Sequence, residues 1–422
     1  MKKEICHAYK TCGGCTYMGV AYQEQLFEKR KYIQSLFPKE EVGMVVGMED
    51  PYHYRNKVYA TFGYDKDENL IAGMYEENSH DLVFVPDCLI QNDKANQIVA
   101  SLVKNAGRMK IEPYNEDTGK GVLRHCYIRV SHSTGKALVV IVIGAKQLPS
   151  SRELVQDLLK DCPQVDSIVL NWNSENTSMI LGPRERVIYG SGFITDEIGG
   201  LKFRIGSRSF YQVNPVQTEK LYAKAIELAG LTRRDTVLDA CCGIGTISLF
   251  AAKKAKEVVG VEINESSIRD AVFNAKENRI DNAVFYCDNA RTFLERLMDT
   301  PDVVILDPPR AGMGYHFMSS LSRLGSRRIV YISCNPKSQA DDIACLHGYR
   351  IKAIVPVDMF PFTKHIENIV VLEKSRERRN FHEGKKGRAP YRTAKDFQPH
   401  KDKSRTNGSH KPDNRRKNNK NS

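Results

Sequence analysis

The sequence predicts an α/β protein: a doubly wound, mostly parallel sheet in its C-terminal part, a mainly β central segment before it, and a short cysteine-bearing start. Three observations predict this. From Asn214 onward, helix-like and strand-like runs alternate one for one. Between about 46 and 205, short β-branched runs (CYIRVSH, KALVVIVIG, SIVLNW, LKFRIG) are separated by glycines and polar turns. The first 45 residues pair three cysteines with a polar helical run. Strict alternation implies βαβ units, whose right-handed crossovers build a parallel sheet, whereas runs of short strands imply antiparallel pairing.

Taken in order, residues 1–45 hold ICHAYKTCGGCTY and then the helical run YQEQLFEKRKYIQSLF. Residues 46–205 read as an antiparallel sheet with few helices, the helical stretch DLVFVPDCLIQNDKANQIVASLVK (81–104) being an exception. Residues 206–374 give helix PVQTEKLYAKAIELAG, strand TVLDA, helix TISLFAAKKA, strand EVVGVE, helix SSIRDAVFNAKEN and strand AVFYCD. The strands DVVILDPP, RIVYISC, IKAIVPVDMF and HIENIVVLEK complete this part. Residues 375–422 carry 16 Lys+Arg against 5 Asp+Glu, while the other 374 residues are balanced at 47 against 46. With few large apolar residues, that tail cannot bury enough surface to fold and is predicted to be a disordered basic extension.

At 422 residues and 41% hydrophobic, the chain can bury sizeable cores. No run approaches the ~20 apolar residues that span a bilayer, and MKKEICHAYK has no apolar stretch behind its lysines. A cytoplasmic protein without membrane contact is expected, and nothing points to a protein partner. Eleven cysteines in a reducing compartment point to metal or catalytic roles rather than disulfides.

Ligands of an open parallel sheet sit beyond the carboxyl ends of its strands. The first such strand ends in VLDACCGIGT, where Gly243 and Gly245 let the backbone approach a ligand. A third glycine of a dinucleotide fingerprint would fall at Ser248, and Asp239 would repel a pyrophosphate, so a cationic cofactor without phosphate fits better. S-adenosylmethionine is one. Glu262, ending the second strand, is placed for both ribose hydroxyls. Asp288, ending the third, can meet the adenine amino group. Asp307 opens a rigid Asp-Pro-Pro turn after the fourth. Arg310 stands where enzymes that methylate an exocyclic amine carry an aromatic residue, which argues against that target.

The fifth strand, RIVYISC, delivers Cys334 to the same edge. A thiol beside a methyl donor suits covalent activation of a poor carbon nucleophile such as carbon 5 of uracil. A thiolate adding to carbon 6 makes carbon 5 enolate-like, and a base then removes the carbon 5 proton. Glu367, at the start of HIENIVVLEK, is the candidate base.

SFYQVN (209–214), LDACCGIGTISL, DPPRAGM (307–313), SCNP (333–336) and HIENIVVLEK together resemble the uracil-carbon-5 RNA methyltransferases over about residues 1–374. That resemblance implies a Rossmann-like methyltransferase domain, Cys334 as nucleophile and Glu367 as base. It places Gln212, Cys241, Glu262 and Asp307 at cofactor-contacting positions. Cys241 stands where the family usually has an aromatic residue.

The start of the chain spaces its cysteines C-x5-C-x2-C at Cys6, Cys12 and Cys15, and VPDCLIQ adds Cys88. Zinc and iron-sulfur both suit such a set. The arrangement is similar to the iron-sulfur branch of the same family, which implies a closed 4Fe-4S cluster on Cys6, Cys12, Cys15 and Cys88. In that family the cluster cysteines accompany large-subunit ribosomal RNA substrates, so 23S rRNA or its precursor is the expected partner. Cys6 comes almost at once, and that layout resembles the short form of the family, which is expected to lack the small β-barrel RNA-binding domain of longer members. Two alternatives are a tRNA uracil-5-methyltransferase and an inactive iron-sulfur RNA-binding protein on the same fold.

Overall fold

The computed structural model describes residues 5–76, 79 and 81–375, which lie in one compact unit. The basic tail predicted over 375–422 lies, apart from Ser375, outside the described residues. No helix among them is long and apolar enough to cross a membrane.

Helix α1 (Tyr22–Leu36) occupies the polar run foreseen for it. The first sheet follows with β1 (Lys57–Tyr64), β2 (Leu70–Tyr75) and β3 (Leu82–Val83), helix α2 (Asp93–Arg108), then β4 (Leu123–Val130) and β5 (Ala137–Ile143). Helix α3 (Ser151–Asp161), β6 (Val165–Trp172) and β7 (Arg184–Tyr189) complete it. Its strand order is β3-β2-β1-β4-β5-β6-β7. Two readings of this segment need correction. The helix expected over 81–104 begins only at Asp93, because Pro86 interrupts the run and the Asn92 side chain caps the helix by accepting from the Lys94 N–H at 3.0 Å. The sheet is also not wholly antiparallel: α3 crosses between β5 and β6, which pair in parallel. Helix α3 was not foreseen; its one sequence signal is the helical spacing of Leu154 and Leu158, both buried, which is short beside the strand-like runs around it.

A hairpin, β8 (Phe193–Ile198) and β9 (Leu201–Gly206), leads into α4 (Pro215–Ala229). Then come β10 (Thr236–Asp239), α5 (Thr246–Ala252), β11 (Glu257–Glu262), α6 (Glu265–Glu277), β12 (Ala283–Cys287), α7 (Ala290–Arg296) and β13 (Val303–Leu306). Helix α8 (Tyr315–Leu324), β14 (Arg328–Ser333), α9 (Pro336–Ala344), β15 (Tyr349–Val357) and β16 (Glu367–Lys374) end the described chain. This second sheet runs β12-β11-β10-β13-β14-β16-β15, with β16 antiparallel to both neighbours. The alternation predicted for 206–374 is present, and it yields the α/β, Rossmann-like arrangement. One buried apolar cluster runs from Tyr127, Leu138 and Val140 through the hairpin to Leu221, Val237 and Ile332, so the two sheets share core. Near the start of the chain, Ile33, Phe37 and Val42 pack into the core of the second sheet, and Val42 and Val46 bridge to its edge strand at Ile354 and Val357.

Candidate active site

Parallel pairing brings the carboxyl ends of β10, β11, β12, β13 and β14 to one edge, carrying Asp239, Glu262, Asp288, Asp307 and Cys334 at or just beyond them. Because β16 runs the other way, its first residue lies at that same edge, with Ser333 opposite Asn368 and Val357 opposite Glu367. Glu367 is thereby delivered beside Cys334. It is only 2% exposed, its Oε2 has no hydrogen-bond partner, and burial followed by the charge of Asp307 holds its carboxyl well above the usual range. Burial, then Asp239, pushes Asp307 up to about 7. Burial pushes the Cys334 thiol up to about 11, with Glu367 and Asp307 adding to the rise.

Arg310 opposes this. Its guanidinium hydrogen-bonds the Cys334 sulfur and lies near enough to Glu367 to lower that carboxyl as well. It also meets His365 Nδ1 at 3.0 Å, and its carbonyl accepts from Asn335 Nδ2 at 2.9 Å and Ser338 Oγ at 3.0 Å. In the sequence Arg310 served only to exclude amine targets; the fold makes it the cation of the thiol site. An Arg310→Met variant is expected to move the rising limb of log(kcat/KM) against pH at least about one unit to the alkaline side, because the thiolate loses its counter-charge while the carboxylates remain. Arg310→Lys should largely restore the profile; an unmoved limb in Arg310→Met would detach Arg310 from the thiol.

The cofactor side of the edge is built for a cation. Asp239 is fully buried; its Oδ2 accepts from Ser248 Oγ at 2.6 Å, its Oδ1 has no partner, and burial pushes it up to about 6. Gly243, at φ +54°, has open space where a Cβ would point. Glu262 accepts from the Gly243 and Asn264 N–H groups at 3.3 and 2.8 Å, which fixes it beside the glycine turn. Cys241 sits with its sulfur 3.8 Å from that of Met313. The Gln212 side chain hydrogen-bonds the hydroxyl of Tyr222, a buried tyrosine near Asp307, Glu367 and Asp239. Tyr222 was not foreseen, since on α4 it has the pattern of an ordinary core residue. Asp288 is engaged elsewhere, ion-paired with Arg296 and accepting from the Asn289 N–H at 2.7 Å. Buried carboxylates with orphaned oxygens around an open glycine turn fit a sulfonium cofactor and would repel a dinucleotide.

The loop before Glu367 is braced by the start of the chain. Lys29 Nζ and the Tyr22 hydroxyl donate to the two oxygens of Asp358 at 2.6 and 2.9 Å. Phe362, at φ +64°, donates its N–H to Gln25 Oε1 and accepts from the Tyr17 N–H, at 2.9 and 2.8 Å. Phe362 packs with Met18, Tyr54 and Ile90, and against this cluster lie Cys6, Cys15 and Cys88. Cys6, Cys12, Cys15 and Cys88 line a single cavity, all as free thiols. Gly14 borders it so closely that a Cβ there would lie 3.4 Å from the Cys12 sulfur. Among the described residues, no group of three or more His, Cys, Asp or Glu side chains is arranged to hold a single metal ion.

Fold and site together define an S-adenosylmethionine-dependent RNA methyltransferase, and comparison with known proteins agrees. Residues 21–375 match the family described as tRNA (uracil-5-)-methyltransferase. An uncharacterized RNA methyltransferase of Clostridium acetobutylicum is 40% identical over 383 residues, covering 88% of this chain and 83% of that one. One from Listeria innocua is 41% identical over 377 residues, covering 87% and 83%. The crystal structure of Pyrococcus abyssi tRNA (uracil-54, C5)-methyltransferase, in complex with S-adenosyl-L-homocysteine, superposes with a TM-score of 0.72 at 28% identity, covering 85% of each chain. The chain belongs to the tRNA (uracil-5-)-methyltransferase family.

Proposed function

We propose that the protein methylates carbon 5 of a specific uridine in 23S ribosomal RNA through a covalent adduct at carbon 6. The observation that carries this reading is the meeting of a thiol, a buried partnerless carboxyl and a guanidinium, Cys334, Glu367 and Arg310, beside the cation-suited turn. S-adenosylmethionine, when bound, would supply an electrophilic methyl on a sulfonium, the electron pair of the broken carbon–sulfur bond staying on the sulfur of the departing thioether. Gln212, Cys241, Glu262 and Asp307 are the residues that would hold it; Asp239 belongs with them. Asp288 is the weakest member, since Arg296 already occupies its carboxylate.

Cys334, as thiolate beside Arg310, adds its sulfur to carbon 6, and the carbon 5–carbon 6 electron pair becomes available at carbon 5. Carbon 5 takes the methyl and then carries both methyl and proton. Glu367 removes that proton; the freed pair re-forms the double bond and expels the Cys334 thiolate. The low-dielectric placement that raises Glu367 also makes its carboxylate a stronger base than a solvated glutamate.

The expectation of ribosomal RNA rests on the four cysteines that accompany such substrates in the family. The tRNA reading has its own support in the Pyrococcus abyssi neighbour, whose target is a tRNA uridine. Mass mapping of methylated uridines in 23S rRNA and tRNA from a deletion strain separates them. Loss of a 5-methyluridine from 23S rRNA is expected; loss from tRNA alone sinks the ribosomal target, and no loss from either sinks the activity.

A 4Fe-4S cluster on Cys6, Cys12, Cys15 and Cys88 is part of the same proposal. One zinc ion draws thiolates to about 2.3 Å, whereas a cluster bridges more widely spaced sulfurs, and four soft donors around one cavity suit it. Protein purified without oxygen should be brown and yield about four irons and four sulfides per chain. One zinc and no acid-labile sulfide would overturn this part.

A further inference from the structure

On β1, alternation sends Val58, Ala60 and Phe62 into the core and leaves Lys57, Tyr59 and Thr61 on the other face. Opposite them on β4, in register, stand Arg129, Tyr127 and His125. Lys57 therefore lies directly across from Arg129. Like charges at such a position repel and destabilise a sheet, yet neither forms an ion pair among the described residues. Arg129 is 5% exposed; it donates from Nη2 to the Ser209 carbonyl and lies 5.2 Å from the centre of the Tyr127 ring, while its buried Nε has no hydrogen-bond partner. The Lys57 ammonium lies 5.7 Å from the centre of the Phe210 ring, which is 60% exposed. Ser209 and Phe210 lead straight to Gln212, so this cation pair sits at the mouth of the catalytic edge.

We propose that Lys57 and Arg129 form a built site for one backbone phosphate of the RNA substrate, adjacent to the uridine that enters beside Cys334. This rests on the RNA reading above and adds to it the residues that grip the strand. A phosphodiester supplies the negative charge missing between the two cations and accepts from Lys57 Nζ, with the buried Arg129 charge behind it. Without it the pair is costly: burial, then the charges of Arg129 and Arg55, brings the Lys57 ammonium down to about 8. A pair kept only for packing would be better served by an apolar residue at one of the two positions.

The test uses the full chain and substituted RNA-binding assays over graded salt, with Lys57→Met, Lys57→Arg and wild type. Lys57→Met, near in volume, is expected to weaken RNA binding about tenfold and to lower the slope of log K against log salt by about 0.7–0.9. The loss should be equal for target and non-target strands, because phosphate contacts carry no sequence information. KM for RNA should rise while kcat at saturating RNA stays, and Lys57→Arg should recover the slope. The melting temperature of Lys57→Met should hold or rise, since a like-charge repulsion is removed. An unchanged slope and affinity in Lys57→Met, or a lowered melting temperature with the slope intact, would show a structural lysine and overturn the site. If wild-type protein neither binds nor methylates RNA in that assay, the RNA reading fails first and this site with it.

Discussion

Cys334→Ala is expected to lose methylation by at least about 10⁴-fold, which corresponds to roughly 5 kcal/mol of transition-state stabilisation. Carbon 5 of uracil does not attack a sulfonium methyl unaided, so no slower route takes over when the thiol is gone. Binding should survive. Cys334 caps the end of β14 as a half-buried side chain, and its neighbours Ser333 and Asn335 hold the turn through their own hydrogen bonds at 3.1 Å. The alanine variant should thus bind S-adenosylmethionine and RNA within a few-fold of wild type, a loss confined to kcat. Measuring methyl transfer from labelled cofactor together with both binding constants checks this, and turnover near the wild-type rate would remove the covalent scheme.

Glu367→Gln should fail in a different way. The amide is nearly isosteric with the protonated carboxyl that burial favours, so the site should keep its shape. Addition of Cys334 and methyl transfer to carbon 5 can both proceed, but nothing takes the carbon 5 proton. The step that releases product should slow by about 10²–10⁴-fold, and a methylated protein–RNA adduct should persist on a denaturing gel. The double variant Cys334→Ala with Glu367→Gln should show none. If Glu367→Gln gives no adduct and turns over, another group is the base.

The two variants also bear on what could be read before any fold was known. Cys334, Asp307, Glu262 and the glycine turn were legible because each lies at the end of an apolar run in an alternating pattern, and parallel strands necessarily present those ends together. Glu367 was legible only through the order of its motifs, since a glutamate opening a strand is ordinarily solvated. Its burial follows from the reversed direction of β16, which periodicity does not encode. Asp288 also matched the strand-end pattern, and only the fold shows that its carboxylate pairs with Arg296 at the end of α7. Helix α3 was hidden among strand-like runs, and the early start expected for α2 ignored Pro86 and the cap at Asn92.

By itself the sequence determined the α/β class, the sheet edge on which the candidate site gathers and the residue types brought there, because those depend on local periodicity and chain order. The tertiary structure alone decided how those groups act on one another. It set Arg310 against the Cys334 sulfur, surrounded Tyr222 with Gln212 and three carboxyls, braced the Glu367 loop on Lys29 and Gln25, and faced Lys57 with Arg129. Each of these is a contact between residues far apart in the chain, whose energy depends on burial and on the distance between charges. Neither quantity exists until the strands have paired and water has been excluded from between them.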